Sequence, residues 1–229
     1  MSELWFESLP SIKLVLVLKS ASSETDILDR EKFLNGIQDL DLSEHNLGEV
    51  PDFIKDCTRL TSLDLSGNMI SGRVDGSVFP SSLESLNLRN NEVEEFVIEG
   101  FTEVGLQRLR ALHLGGNKLT EVPDKLDLLT KLTVLGLEKN NITSLKKETR
   151  YPNSGLSLNL SGNKLSEVSV GRAGLTRCLD LNFSDNELKT LPPQLIKGRL
   201  RFLDVSGNDI EDWNFFDAAV SKGVNVKLR

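Results

Sequence analysis

Apolar residues recur along this chain in one order, L-x-x-L-x-L-x-x-N-x-L, repeated eight times. One copy reads Leu60, Leu63, Leu65, Asn68, Ile70 and another reads Leu109, Leu112, Leu114, Asn117, Leu119. The ninth position falls on His45, Asn68, Asn91, Asn117, Asn140, Asn163, Asn186 and Asn208, in steps of 23, 23, 26, 23, 23, 23 and 22 residues. A period in that range predicts a solenoid, in which each unit buries its apolar face only by stacking on the next. Within a copy, positions 4 and 6 alternate with positions 3 and 5, the two-residue period of a short strand buried on one face. Positions 1, 4, 6 and 11 therefore point inward. Position 9 has a different task. A chain that turns sharply after a strand brings backbone N–H and C=O groups inside, where unpaired groups cost free energy. Asparagine carries donors and an acceptor on a short stem, so a ladder of Asn side chains can pair with them. His45 interrupts the ladder in the first copy, where it is expected as a buried substitute for Asn.

Departures from the phrase carry their own expectations. Gly155 and Cys178 occupy position 1, so Leu156 and Leu179, one residue on, are expected to turn inward and fill the gap. Residues 72–82 lack a helical period, and residues 94–108 hold three extra residues. The repeat covers 37–210, leaving 1–36 as a predicted N-terminal cap and 211–229 as a predicted C-terminal cap. In the first, an Ile12–Leu18 strand precedes a capping-box pattern, Ser23 to Asp26, that opens a helix through Leu34 and stops at Gly36. Trp5, Phe6 and Leu9 would cover the first coil. The same segment is alternatively a docking or targeting arm. In the second cap, Trp213, Phe215 and Phe216 lead to Val224, Val226 and Leu228, which alternate as a last strand would. That final edge could also pair with something else, or more sequence could follow it.

Three copies extend the phrase further: Leu47-x-x-Val50-Pro51-x-x-Ile54, Leu119-x-x-Val122-Pro123-x-x-Leu126 and Leu188-x-x-Leu191-Pro192-x-x-Leu195. On these motifs and the eight phrases in register, the chain resembles the leucine-rich repeat proteins, and the L-P form is similar to their intracellular, 23-residue Ras-group and scaffold-type members. The resemblance implies an α/β fold. It is a curved right-handed solenoid with a parallel β-sheet on its concave face and mostly irregular or short helical segments on its convex face. The family works through an extended surface rather than a pocket.

Net charge is −7 with a pI near 5, which argues against nucleic acid or an anionic membrane as partner and favours a basic protein face. Cys57 and Cys178 match no C-x-x-C pattern, so neither a metal site nor a disulfide framework is expected. Residues 12–18 are too short to span a bilayer, and the preceding Glu3 and Glu7 do not suit a secretory leader. Asn141, Asn159 and Asn182 head glycosylation sequons that follow from the repeat itself. The expected location is intracellular, in the cytoplasm. No catalytic constellation emerges. Gly115-Gly116-Asn117-Lys118 lacks the spacing of a phosphate loop. A Ser–His–Asp set around His113 would lie strung over an open, wet strand face. Neither a cofactor nor a metal is expected, and the chain is not expected to be an enzyme.

If positions 3, 5, 7 and 8 face the concave side, they list a candidate surface. It holds the acids Asp39, Asp41, Glu44, Asp64, Glu138, Asp180, Asp185 and Asp204 against only two bases, Arg89 and Lys139, with His113 as a possible third. Asn87, Asn159 and Asn182 lie among them. Val134 and Phe202 add apolar groups where polar ones would be ordinary, and Phe202 beside Asp180 and Asp204 is the expected anchor. The expected function is a non-enzymatic module that binds a partner protein, through a basic segment, on this face. Nucleic acid, membrane insertion and a small-molecule substrate are not expected. The alternative is a scaffold portion of a larger protein, or an oligomer assembled through the ends of the rod.

Overall fold

The computed structural model describes residues 31–98, 106–152, 155–170 and 174–228. The predicted Ile12–Leu18 strand and the start of the capping-box helix lie outside these residues, as do Trp5, Phe6 and Leu9. Helical backbone over 31–34 and a turn at 35–36 lead into the first repeat.

Each phrase forms a three-residue strand at positions 3 to 5, and the coils stack these strands in register. In chain order the strands are β1 (Asp39–Asp41), β2 (Ser62–Asp64), β3 (Ser71–Asp75), β4 (Ser85–Asn87), β5 (Glu92–Val97), β6 (Ala111–His113), β7 (Val134–Gly136), β8 (Ser157–Asn159), β9 (Asp180–Asn182), β10 (Phe202–Asp204) and β11 (Asn225–Lys227). Nine of them make one parallel sheet, β1-β2-β4-β6-β7-β8-β9-β10-β11. Pairing holds each column together: Leu40, Leu63, Leu86, Leu112, Leu135, Leu158, Leu181 and Leu203 are successive partners. From Leu63 to Leu203 these leucines are at most 1% exposed, so position 4 forms the inner wall of a continuous core. Removing a leucine from such a wall leaves a cavity that the rigid neighbours close only in part.

The Asn ladder forms as the backbone geometry demands. Asn117 Nδ2 donates to the carbonyls of Leu88 (2.9 Å), Leu114 (3.0 Å) and Gly115 (3.4 Å), while its Oδ1 accepts from the Val93 N–H at 2.9 Å. Asn140 repeats the set one coil on. The first rung differs from expectation. His45 is half-buried, not enclosed, and its Nδ1 lies against the Ser43 carbonyl. The ladder starts instead at Asn68, whose Oδ1 accepts from the backbone of His45 (2.9 Å) and Leu47 (3.0 Å).

The position-1 gaps are filled in two ways. Leu156 is fully buried beside Gly155. In the later copy Cys178 itself takes the inward place, fully buried, and Leu179 stays half-buried, packed over the Gly155 Cα where a Cβ would meet its Cδ1 at 2.9 Å. A thiol is apolar enough to hold a core position, so Leu179 is not required there.

The convex side carries single 3-10 turns, at Asp52–Asp56, Gly76–Val78, Leu126–Leu128, Leu175–Arg177 and Leu195–Lys197. In two L-P copies the proline starts the turn, its carbonyl accepting from Ile54 N–H (3.1 Å) and Leu195 N–H (3.0 Å). Proline loses nothing there, because that first N–H has no partner in the turn. Copies 2 and 3 instead pair their convex segments as a two-stranded parallel sheet, β3 with β5. At the C-terminal end a helix over Asn214–Ser221 buries Phe215, Phe216 and Ala219 against the core, and β11 pairs with β10.

Candidate functional site

Side chains at position 5 leave the sheet on the face opposite the leucines, and most close the turn that follows. Asp41, Asp64, Asn87, Asn159, Asn182 and Asp204 each accept, through Oδ1, the N–H two residues on, at 2.8–3.1 Å. A short side chain that bonds its own backbone two residues ahead ends a strand cleanly. This task is shared by Asp and Asn, so only the aspartates add charge to the face. Position 8 follows at a left-handed φ in all eight copies: Glu44, Asn90, Lys139 and Asp185 at 53–57°, alternating with Gly67, Gly116, Gly162 and Gly207 at 65–68°. Each glycine lies beneath the longer side chain of the preceding copy; a Cβ at Gly207 would meet Asp185 Oδ1 at 2.3 Å.

The acids do not form one uninterrupted trough. At the N-terminal end Asp39, Asp41 and Glu44 are exposed and Asp64 is half-buried, with Asp41 and Asp64 direct register partners. No base among the described residues forms an ion pair with any of the four, and Asp64 is bonded only by neutral donors, the Ser66 hydroxyl (2.6 Å), the Ser66 N–H and Asn87 Nδ2 (2.9 Å). Bonds from the Ser43 hydroxyl and N–H hold the Asp41 carboxyl below the usual carboxylate range, so it stays charged.

At the centre one acid and one base pair off, and the exposed Lys139 beside them adds a positive charge. Arg89 Nε donates to Glu138 Oε1 at 2.8 Å, a bridge that links copies 3 and 5 across the intervening coil. Glycines make the crossing possible. A Cβ at Gly115 would lie 2.4 Å from the Glu138 carboxyl, and one at Gly136 would lie 2.8 Å from Glu138 Oε2 and 3.4 Å from His113 Nδ1. His113 is half-buried beside this bridge, and burial together with the Arg89 charge pushes its pKa down, against the opposing pull of Glu138 and Asp64. Its register partners on either side are Asn87 and Gly136, so the sheet sets no serine opposite it in that column. Among the described residues no three His, Cys, Asp or Glu side chains are arranged to hold a metal.

At the C-terminal end the expectation for Asp204 is corrected. It is 5% exposed, and Lys227 of β11, its register partner, donates to Oδ2 at 2.9 Å. Its charge is already met inside the chain. Burial raises the Asp204 pKa, yet the Ser206 hydroxyl and Lys227 ammonium outweigh it and hold the carboxyl below its usual range. Asp180 remains half-buried in register with Phe202. Phe202 lines an open cleft with Trp213, Val226 and Leu228, of which Trp213 is 60% exposed. Val134, 38% exposed, stands alone in mid-sheet. Lys227 and Trp213 lie outside the repeat phrase, which is why spacing alone could not bring them to this surface.

The repeats match the family models for leucine-rich repeats over residues 59–80, 81–142 and 200–212. With the nine-stranded coil and its Asn ladder, these matches identify the repeating units of the chain as leucine-rich repeats. It is 30% identical over 209 residues to Leucine-rich repeat serine/threonine-protein kinase 1 of Mus musculus, an alignment covering 77% of this chain and 10% of that protein. Among solved structures, the leucine-rich repeat domain of a Shigella effector matches at a TM-score of 0.66 with 20% identity, over 99% of this chain and 94% of that one. Toll in the Toll–Spatzle complex of Drosophila matches at 0.69 with 18% identity, over 88% and 28%. The chain thus spans about a tenth of the kinase, and the likeness to the two structures is one of fold.

Proposed function

We propose that this chain is a non-enzymatic interaction module whose concave sheet receives a basic segment of a partner protein. One observation carries the reading: Asp39, Asp41, Glu44 and Asp64 bring four carboxylates to two adjacent strands and the turn after the first, and none of them forms an ion pair among the described residues. Complementary charge of this kind raises the rate of encounter and fixes orientation, and it weakens as salt rises. Affinity then needs a desolvated anchor, and the Phe202 cleft at the far end offers an aromatic surface beside Asp180. Arg89 and Glu138 pair with each other between the two. The same reading sets the module in the cytoplasm, where its two buried thiols, Cys57 and Cys178, would stay reduced.

Affinity capture with mass spectrometry, run on the wild type beside Asp41→Lys/Asp64→Lys and Phe202→Ala, tests the proposal. The expected outcome is a set of proteins held by the wild type and lost from both variants, with thermal midpoints within a few degrees of one another. Identical captures from all three chains would remove the concave face from consideration.

A further inference from the structure

We propose that the outer edge of β5, in the convex sheet, is a strand-addition site for an extended peptide of a partner protein that alternates apolar and basic residues. β5 pairs on one side with β3. On its other side the pairing continues for one bond, from the Lys118 N–H to the Val93 carbonyl at 2.9 Å, and then stops. Among the described residues no backbone hydrogen bond joins 94–98 to the segment after Lys118. That segment bonds onward instead, its Leu119 carbonyl accepting from Asn141 N–H at 2.8 Å. The separation falls in the one copy with three extra residues. It opens a cavity of about 630 Å³ between β5 and residues 118–125, a size that accommodates a small ligand or a few residues of peptide.

The chemistry of the cavity selects its occupant. Its floor is apolar, formed by the buried Phe96, Ile98, Leu119 and Val122. Its rim carries the carboxylates of Glu94, Glu95, Glu121 and Asp124 against the ammonium groups of Lys118 and Lys125. Lys118 is already held by Glu92 at 2.9 Å and Glu121 by Lys146, which leaves Glu94, Glu95 and Asp124 against Lys125. Glu94 is the residue that the β3–β5 register skips, so a bulge stands at the mouth of the site. An extended edge with unpaired N–H and C=O groups is a template for another strand. Alternate side chains of an added strand would meet the apolar floor, and lysines or arginines between them would meet the rim. Five residues of edge, 94–98, match a peptide segment about 16 Å long. This site belongs to a different sheet from the concave surface, so a partner bound there leaves the nine-stranded face free.

The test uses the full 229-residue chain and a capped hexapeptide of alternating valine and lysine, with a valine–glutamate hexapeptide as control. Amide exchange is followed residue by residue by NMR. The expected result is slowed exchange at alternate amides within 94–98 with the lysine peptide alone. Glu94→Lys/Glu95→Lys should abolish that slowing at an unchanged thermal midpoint, whereas Asp41→Lys/Asp64→Lys should retain it. Slowing confined to the concave strands or to β11 overturns the proposal. So does slowing that survives the Glu94/Glu95 reversal. Amides at 94–98 that already exchange slowly in the free chain, with no peptide effect, overturn it as well, since the chain would then cover its own edge.

Discussion

At the scale of single residues, two kinds of asparagine look alike in the repeat and differ in consequence. Asn117 and Asn140 each satisfy buried backbone groups of two coils at once, so Asn117→Ala or Asn140→Ala should cost about 1–3 kcal/mol in urea unfolding. Asn87 and Asn159 close a surface turn, and the same replacement there should cost well under half as much. Equal losses would mean that the inward and outward columns have been exchanged. The ladder was legible in the sequence because one residue type answers one repeated geometric demand. His45 need not be enclosed, because Asn68 of the next coil already accepts from the backbone of His45 and Leu47. The turn-closing role of position 5 was hidden for another reason: Asp serves the turn as well as Asn, and reads equally well as binding charge. Glycine supplies a second test at this scale. In Gly115→Ala the new methyl displaces the Glu138 carboxyl, so the coupling between Arg89 and Glu138 in a double-mutant cycle should fall from a few tenths of a kcal/mol to near zero. An unchanged coupling would show that the carboxylate has another route over the coil.

At the scale of elements, β11 does more than end the sheet, because it brings Lys227 to Asp204. A carboxyl held below its unfolded pKa stabilises the fold at pH values above the unfolded value, and that contribution is lost as the pH falls through the folded one. For Asp204 the loss therefore belongs below the ordinary carboxylate value of about 3.9. Lys227→Met removes one of the bonds that depress it. The Asp204 carboxyl, followed by NMR, should then titrate at higher pH, and acid unfolding should begin earlier. An Asp204 titration that does not move would leave the Ser206 bonds as the whole cause. The strands of the main sheet were readable from alternation alone. β3 and β5 were not: residues 72–82 showed only the absence of helix, and the bulge at Glu94 breaks the alternation that marks a strand.

At the scale of the whole molecule, the core is one stack of apolar ladders, and its two thiols belong to it. Burial pushes the Cys178 thiol up to about 12, and Cys57 is fully enclosed, so neither should react with a disulfide reagent at pH 8 until the chain unfolds. Prompt labelling of either in the native state would contradict a continuous core. The surface is less uniform than the core. Eight acids counted along the concave columns divide into an open cluster at β1 and β2, a bridge at Arg89–Glu138, and an end where Lys227 neutralises Asp204. Counting columns located the face, while pairing between distant residues decided which charges remain for a partner. The most direct test of the central claim is the dissociation constant of a captured partner, measured at low and physiological salt for three chains. They are the wild type, Asp41→Lys/Asp64→Lys and the convex variant Glu94→Lys/Glu95→Lys. The predicted result is tight, salt-weakened binding by the wild type and the convex variant, and at least a tenfold loss, about 1.4 kcal/mol, in the concave variant. Equal constants for the wild type and the concave variant would contradict it.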